Sequence, residues 1–495
     1  MSQPNIAQTR TGAVEGRMKD GTLLFSGIPY AAAPEGSLRF RPAAPVTPWT
    51  GVRPALKFGP AAPQVATGGL TNSAAVRWSE DCLSLNVCTP ALDGALRPVL
   101  VWIHGGSFRT GQGAVPWYNG NRFALHGDMV VVSINYRLGA LGFSELSRLG
   151  SGFETSGVNG LLDQIRALEW VRDNIQQFGG DPDRVTIAGE SAGAFSVCSL
   201  LGSPLAQGLF HRAIAQSGAA HHTLRKATAE RITDLFLESL GIDDPTDLDS
   251  LPVERILDAQ TEIVQRLEDR SGALAVLGEL HDPVGPFYPC VGNAVLPQSP
   301  IEAIRSGSGA SIPLLIGTNA DEATLWGYGD VPEQRLHEVV QAYNASAPLE
   351  TLRAQRPKAA TDQLMIALTT DFLFRIPAIR VAEARAGFDT ATWMYLFSWK
   401  SRAFGGRLGA THALEIPFVF DNLDRAGVDI FLGEGPTPQA LADVMHRAWI
   451  RFVQGDDPGW ERYEPGSRAT MRFDDPCELI YDPDREEREA WDGYR

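Results

Sequence analysis

The stretch Arg184-Val185-Thr186-Ile187-Ala188-Gly189-Glu190-Ser191-Ala192-Gly193 decides how this chain is read. Its first half, Arg184–Ala188, is a short, mostly apolar run that reads as a strand, and Ala192–Leu201 reads as the helix that follows. Between them stands Gly189-Glu190-Ser191-Ala192-Gly193, a G-x-S-x-G pattern in the one context that gives it meaning, after a strand and opening a helix. A turn that sharp forces the serine into strained dihedrals, and side chains on the flanking residues would collide with neighbouring backbone. The result is an exposed hydroxyl at a helix N-terminus, where the positive end of the dipole favours developing negative charge. Outside that context the same five residues are an ordinary Gly/Ser turn.

Working outward, the same alternation continues. Pro98–Ile103 and Met129–Ile134 are apolar runs without the polar alternation of a one-sided sheet, so they read as buried strands. Leu161, Ile165, Leu168, Val171 and Ile175 recur at helical spacing, and Gly179-Gly180 supplies a C-cap with Asp181-Pro182 beyond it. Further strands are expected at Ala213–Gln216, Ile312–Ile316 and Thr392–Phe397, and a late helix at Ala440–Val453 before Gly455. Strand–helix–strand alternation implies an α/β fold with a mostly parallel sheet covered on both faces. Such sheets carry reactive groups at the carboxyl ends of their strands. The segments of about 220–310 and 325–390 are more helical and polar; they are expected to be insertions over that end of the sheet, shaping a pocket. The Pro/Ala/Gly-rich stretch 41–75 reads as a long surface segment rather than a linker.

Composition sets the limits. The chain has 495 residues, 44% of them hydrophobic and 21% charged, enough for a large core. Acidic residues outnumber basic ones 59 to 43, a formal charge of −16, which argues against a nucleic-acid partner. No apolar run approaches the roughly 18 residues that span a bilayer. The N-terminal residues lack a basic-then-apolar leader, so the expectation is a soluble, cytoplasmic protein. Five cysteines, widely spaced and odd in number, do not form a disulfide framework, and no CxxC pair suggests zinc.

A serine hydroxyl needs a base at neutral pH. Of nine histidines, His412 is the best placed, in a loop after the strand at 392–397; His337 and His446 sit in polar helical stretches and read as solvated face residues. The base needs a carboxylate to fix its tautomer. Asp321 and Glu322 both follow the strand at 312–316, and spacing alone does not choose between them. The developing oxyanion needs fixed N–H donors. Trp102-Ile103-His104-Gly105-Gly106-Ser107-Phe108 offers a small-residue loop directly after a strand, and Ala192, next to the nucleophile, offers another donor.

These residues, together with others, carry a resemblance. The sequence looks like the type B carboxylesterases, the family of the cholinesterases and bacterial para-nitrobenzyl esterases. The matching segments are Phe25–Ala31, Ser79–Asn86, Trp102–Phe108, Asn135–Gly139, Phe178–Pro182, Gly189–Gly193, Gln216–Gly218, Asp321-Glu322 and His412–Phe420, in the family's order and across most of the chain. The resemblance implies one α/β-hydrolase domain over residues 1–495. It implies Glu322 as the triad acid beside Ser191 and His412, and Gly106, Ser107 and Ala192 as the oxyanion hole. Departures are Ser107, where the family usually has Gly or Ala, and Ala323, where it has Gly after the acid. Secreted members pair the cysteine matching Cys82 with one upstream; here none precedes it, which fits a reducing compartment. A metal reading of His221-His222 lacks further ligands.

The expected activity is hydrolysis of small to medium carboxylic esters through an acyl-enzyme, with no metal or organic cofactor and a small molecule as partner. The alternative is a carbamate or aryl-amide hydrolase on the same triad. A non-catalytic binding module of the same fold requires loss of residues that are all present here. A lipase requires a large apolar lid, and none is identified in the sequence.

Overall fold

The structure is a computed structural model that describes residues 5–66, 76–242, 244–268, 286–327 and 329–494. Among the described residues there are fourteen strands: β1 (Ile6–Thr9), β2 (Gly12–Glu15), β3 (Arg17–Lys19), β4 (Thr22–Pro29), β5 (Val52–Pro54), β6 (Ser84–Thr89), β7 (Arg97–Ile103), β8 (Val130–Ile134), β9 (Gly180–Glu190), β10 (Arg212–Gln216), β11 (Leu314–Asn319), β12 (Thr392–Phe397), β13 (Ala469–Phe473) and β14 (Glu478–Tyr481). β1, β2 and β5 form a small sheet. The other 11 form one large sheet in the order β14-β13-β12-β11-β10-β9-β7-β8-β6-β4-β3. From β13 through to β8 every neighbour runs parallel. The flanks, β14 on one side and β6, β4 and β3 on the other, are antiparallel.

Why these runs are strands is visible in β7. Val99, Val101 and Ile103 enter the apolar layer on one face, and Leu100 and Trp102 enter the layer on the other. A strand covered on both sides gains nothing from alternation, which is why its sequence reads as continuously apolar. The helix Asn159–Asn174 packs Leu161, Ile165, Leu168 and Val171 into the first layer, and Gly179, left-handed at φ 80°, turns the chain into β9. β9 starts earlier than its apolar run suggests, because Gly180 already pairs with Arg97.

The parallel order puts the carboxyl ends of β7, β9, β10, β11 and β12 along one edge. Residues 104–108, 191–192, 217–222 and 320–322 therefore emerge together, and the loop bearing His412 follows β12. Described residues of two chain excursions make contacts at this edge. From the first, Tyr288 packs against Phe108 with ring centres 6.0 Å apart, and His222 stacks on Phe195 at 3.7 Å. Part of that excursion, residues 269–285 with His281, lies outside the described residues. From the second, the helical run Thr361–Thr370, Asp371–Arg375, Ile376–Arg385 sets Phe374 4.9 Å from His412, and the Thr370 hydroxyl accepts a hydrogen bond from Ala323 N–H at 3.2 Å.

Two expectations need correcting. The stretch 41–66 is not all surface: Ala55, Ala61, Ala62 and Gln64 are buried, since Gln64 exchanges two hydrogen bonds with Gly111 beside the 104–108 loop, at 2.9 and 3.0 Å. The rest of the expected segment, 67–75, lies outside the described residues. His446 is not a solvated face residue; it is 3% exposed, packed on Phe123. His337 is exposed as expected.

Candidate active site

Ser191 leaves β9 with φ 56° and ψ −124°, a strained conformation that a non-glycine residue holds only when its surroundings dictate it. The surroundings are specific. Ser191 N–H donates to the Gln216 carbonyl at 2.9 Å, and the Ser191 carbonyl accepts from Phe195 N–H at 2.9 Å. A Cβ on Gly193 would meet the Ile103 carbonyl oxygen at 2.1 Å, and one on Gly189 would meet Gly193 backbone at 2.5 Å. The glycines are there so that the helix Ala192–Gly202 can press against β7.

The 104–108 loop faces this elbow. Gly105 sits so close to it that a Cβ there would lie 3.0 Å from the Ser191 Cβ. Gly106 has φ 108° and Ser107 φ 57°, while Thr110 and Arg109 N–H close the turn onto the Gly106 carbonyl, each at 2.9 Å. Tyr136 braces the loop from behind, donating its hydroxyl to the His104 carbonyl at 2.7 Å. Among the hydrogen bonds of the described residues, none uses the N–H of Gly106, Ser107 or Ala192. Three unengaged donors beside a strained serine are what a developing oxyanion requires.

Of the two candidate acids, Glu322 reaches His412: its Oε2 lies 2.6 Å from Nδ1, with the carboxylate fully buried. Its other oxygen accepts from Asn319 N–H at 2.8 Å. Asp321 turns away and accepts from Ala410 N–H at 2.9 Å, so it clamps the loop that carries His412. With Nδ1–H held by Glu322, Nε2 is the nitrogen left to take up or release a proton. That nitrogen is 3.0 Å from Glu190 Oε1. This buried oxygen makes no hydrogen bond. Among the described residues no hydrogen bond yet joins Ser191 Oγ to the imidazole.

Sequence reasoning passed over two buried carboxyls beside His412. Glu190 was only the variable position of G-x-S-x-G. Glu415 lay inside a matching segment but had no assigned task. Burial pushes Glu190 up to about 8 and Glu415 up to about 7. Burial disfavours the His412 imidazolium, yet the charges of Glu190 and Glu322 outweigh it and raise His412 to about 9. Burial thus favours the neutral carboxyl at Glu190 while the neighbouring carboxylates favour the charged imidazole at His412, so the two groups are coupled through a proton. When the carboxyl holds it, the imidazole is left as free base. Glu415 is anchored by Asn319 Nδ2 at 2.7 Å and by Gln216 Nε2 at 3.2 Å, and Gln216 in turn accepts from Trp449 Nε1 at 2.9 Å.

Residues 3–489 match the family model described as the carboxylesterase family. The para-nitrobenzyl esterase of Bacillus subtilis (strain 168) is 36% identical over 497 residues, covering 98% of each chain. The phenmedipham hydrolase of Pseudarthrobacter oxydans is 39% identical over 498 residues, covering 96% of this chain and 94% of that one. The crystal structure of the Geobacillus stearothermophilus carboxylesterase EST55 at pH 6.2 superimposes with a TM-score of 0.84 at 39% identity, over 98% of this chain and 100% of that one. The fold is that of the α/β-hydrolases, and the protein is a hydrolase acting on carboxylic esters. The chain belongs to the carboxylesterase family. Among the described residues no helix is long and apolar enough to cross a membrane.

Proposed function

We propose that Ser191, His412 and Glu322 are the catalytic triad, with Gly106, Ser107 and Ala192 as the oxyanion hole. The observation that carries this is the buried 2.6 Å pair of His412 Nδ1 and Glu322, held beside a strained serine. Substrate binding aligns Nε2 with Ser191 Oγ and draws it from Glu190; such contacts tighten in the Michaelis complex. Oγ attacks the ester carbonyl while Nε2 takes its proton. The three free N–H groups hold the oxyanion. Nε2 then passes the proton to the departing alcohol, and water, deprotonated by the same nitrogen, releases the acid.

The substrates are small to medium esters; Phe374 and Trp326 pack beside His412, and the rings of Phe108, Phe195, His222 and Tyr288 pack behind Ser191, mostly apolar surroundings that suit an uncharged acyl or aryl group. The whole chain serves as one hydrolase unit, and the excursions at about 220–310 and 325–390 set the shape of that space. Five free thiols, four of them buried, fit a reducing, cytoplasmic setting. Carbamate hydrolysis is the second reading, favoured by the 39% identity to a phenmedipham hydrolase. Ser191→Ala should lower turnover on an aryl acetate by about 10⁶-fold; near-normal activity would refute the triad. Turnover on an aryl acetate, an N-aryl carbamate and an anilide, compared side by side, decides between the carbonyl classes.

A further inference from the structure

Three side chains outside the ester-cleaving groups converge from distant parts of the chain. His126 is in the helix Asn121–Gly127, His446 in the helix Gln439–Gln454, and Asp421 in the turn after the helix Ile416–Val419. One donor atom from each lies within 4.8 Å of the other two. His126 Nδ1 and His446 Nε2 are 3.3 Å apart, and His126 Nδ1 is 4.0 Å from Asp421 Oδ2. Two nitrogens bound at the usual zinc distance to one tetrahedral ion are separated by about 3.3–3.4 Å. The imidazole pair already has that spacing.

The groups behind these atoms orient them as metal ligands are oriented. His446 Nδ1 is 2.8 Å from the Val419 carbonyl, which can only accept, so Nδ1 carries the proton; Nε2 is turned toward His126, and the Arg122 backbone also lies against the ring and must yield Nε2 to the metal. That ring is 3% exposed, so its position is fixed by packing. Asp421 Oδ1 is engaged by Gln439 Nε2 at 2.7 Å, which leaves Oδ2 for the cluster. His126, half exposed, is the side open to solvent. Arg122 works against a cation, since its Nε is 3.9 Å from Asp421 Oδ2; its guanidinium, however, is matched by Asp424 at 2.8 and 2.9 Å.

We propose that His126, Asp421 and His446 bind a divalent transition-metal ion of the zinc class, with water completing the coordination. Two neutral imidazoles and one carboxylate suit Zn²⁺, Co²⁺ or Ni²⁺ and not the oxygen-seeking Mg²⁺ and Ca²⁺. The metal takes no part in ester cleavage; it clips three segments together, including the one that begins four residues after His412 and the helix that also carries Trp449. This departs from the sequence reading, which expected no metal, because residues 126, 421 and 446 show no ligand spacing in the chain.

The test uses full-length protein dialysed against a chelator and then titrated with ZnCl₂, followed by calorimetry and thermal unfolding. The expected result is one equivalent bound per chain, a rise of several degrees in Tm, and no such rise with MgCl₂. His126→Ala, at a half-exposed position, and Asp421→Asn should each weaken zinc binding at least tenfold and abolish the Tm rise. His126→Ala should keep the wild-type Tm in chelator and its ester turnover. Co²⁺ should give the visible absorption of a tetrahedral nitrogen-rich site in the wild type and lose it in both variants. Zinc binding that survives His126→Ala and Asp421→Asn at full strength belongs to other histidines or thiols and overturns the proposal. So does a wild type that binds no zinc, in which case the two imidazoles simply share a hydrogen bond.

Discussion

Asp163 and Glu190 are both buried carboxyls, and they are treated in opposite ways. Asp163 faces Arg137, which donates Nε and an NH₂ group at 2.8 and 2.7 Å, and Arg137 N–H adds a third bond at 3.0 Å. Asp371 is served likewise by Arg375 at 2.6 and 3.0 Å and by Trp491 Nε1 at 3.1 Å. Each fork-shaped guanidinium meets its carboxylate with two N–H donors, so every carboxylate faces a dedicated cation in a fixed geometry. Around His412 three carboxyls, Glu190, Glu322 and Glu415, share a single imidazole, and Glu190 Oε1 has no hydrogen bond at all. The first arrangement spends its groups on holding segments together. The second leaves protons undecided near neutral pH, the condition acid–base chemistry needs.

Four substitutions would break or sharpen that contrast. Glu322→Gln keeps the shape but offers an amide where Nδ1–H expects a carboxylate. Turnover should fall by about 10⁴-fold, with a far smaller change in the denaturation midpoint; a loss of tenfold or less would remove Glu322 from the triad. Asp163→Ala should do the reverse. Leaving the buried Arg137 uncompensated should cost about 3–5 kcal/mol of stability by denaturant titration, while turnover per folded molecule stays near wild type. Glu190→Gln removes one of the three charges that raise His412. The base then loses its proton at lower pH, so the acid limb of the kcat/KM profile should move toward acid by on the order of one pH unit; a shift toward alkali would contradict the shared-proton account. Arg166→Ala breaks a half-buried surface pair, Arg166 with Glu169 at 2.9 Å, one helical turn apart. It should change stability by only a few tenths of a kcal/mol and leave kinetics alone.

The parallel centre of the sheet was legible in the sequence because strands buried on both faces read as unbroken apolar runs; β7, β8, β10 and β12 fall within two residues of where those runs stand. The antiparallel flanks were not. β4 and β6 carry buried polar residues such as Ser26, which sits in an irregularity of the ladder and bonds the Ala55 carbonyl, and Asn86, which pairs with Ser133 of β8. The candidate site divides the same way. Ser191 stood out because its strained turn demands glycines, and His412 because it follows a strand. The choice between Asp321 and Glu322 needed either the family resemblance or the coordinates, since both lie at the same strand end. Glu190 and Glu415 escaped notice because a lone carboxyl in sequence does not reveal its burial. His446 misled for a related reason: the face of its helix looks polar until Phe123 from another helix covers it.

The hydrogen bond from Ala323 N–H to Thr370 bears on attempts to redesign this enzyme. It joins the residue after Glu322 to the helical run that also carries Phe374. Exchanging that run with a relative's, to admit a bulkier acyl group, would therefore disturb the alignment of the proposed triad acid as well as the walls around the substrate. Selectivity and speed are wired through a common segment here, so a chimera that gains one should be screened for loss of the other.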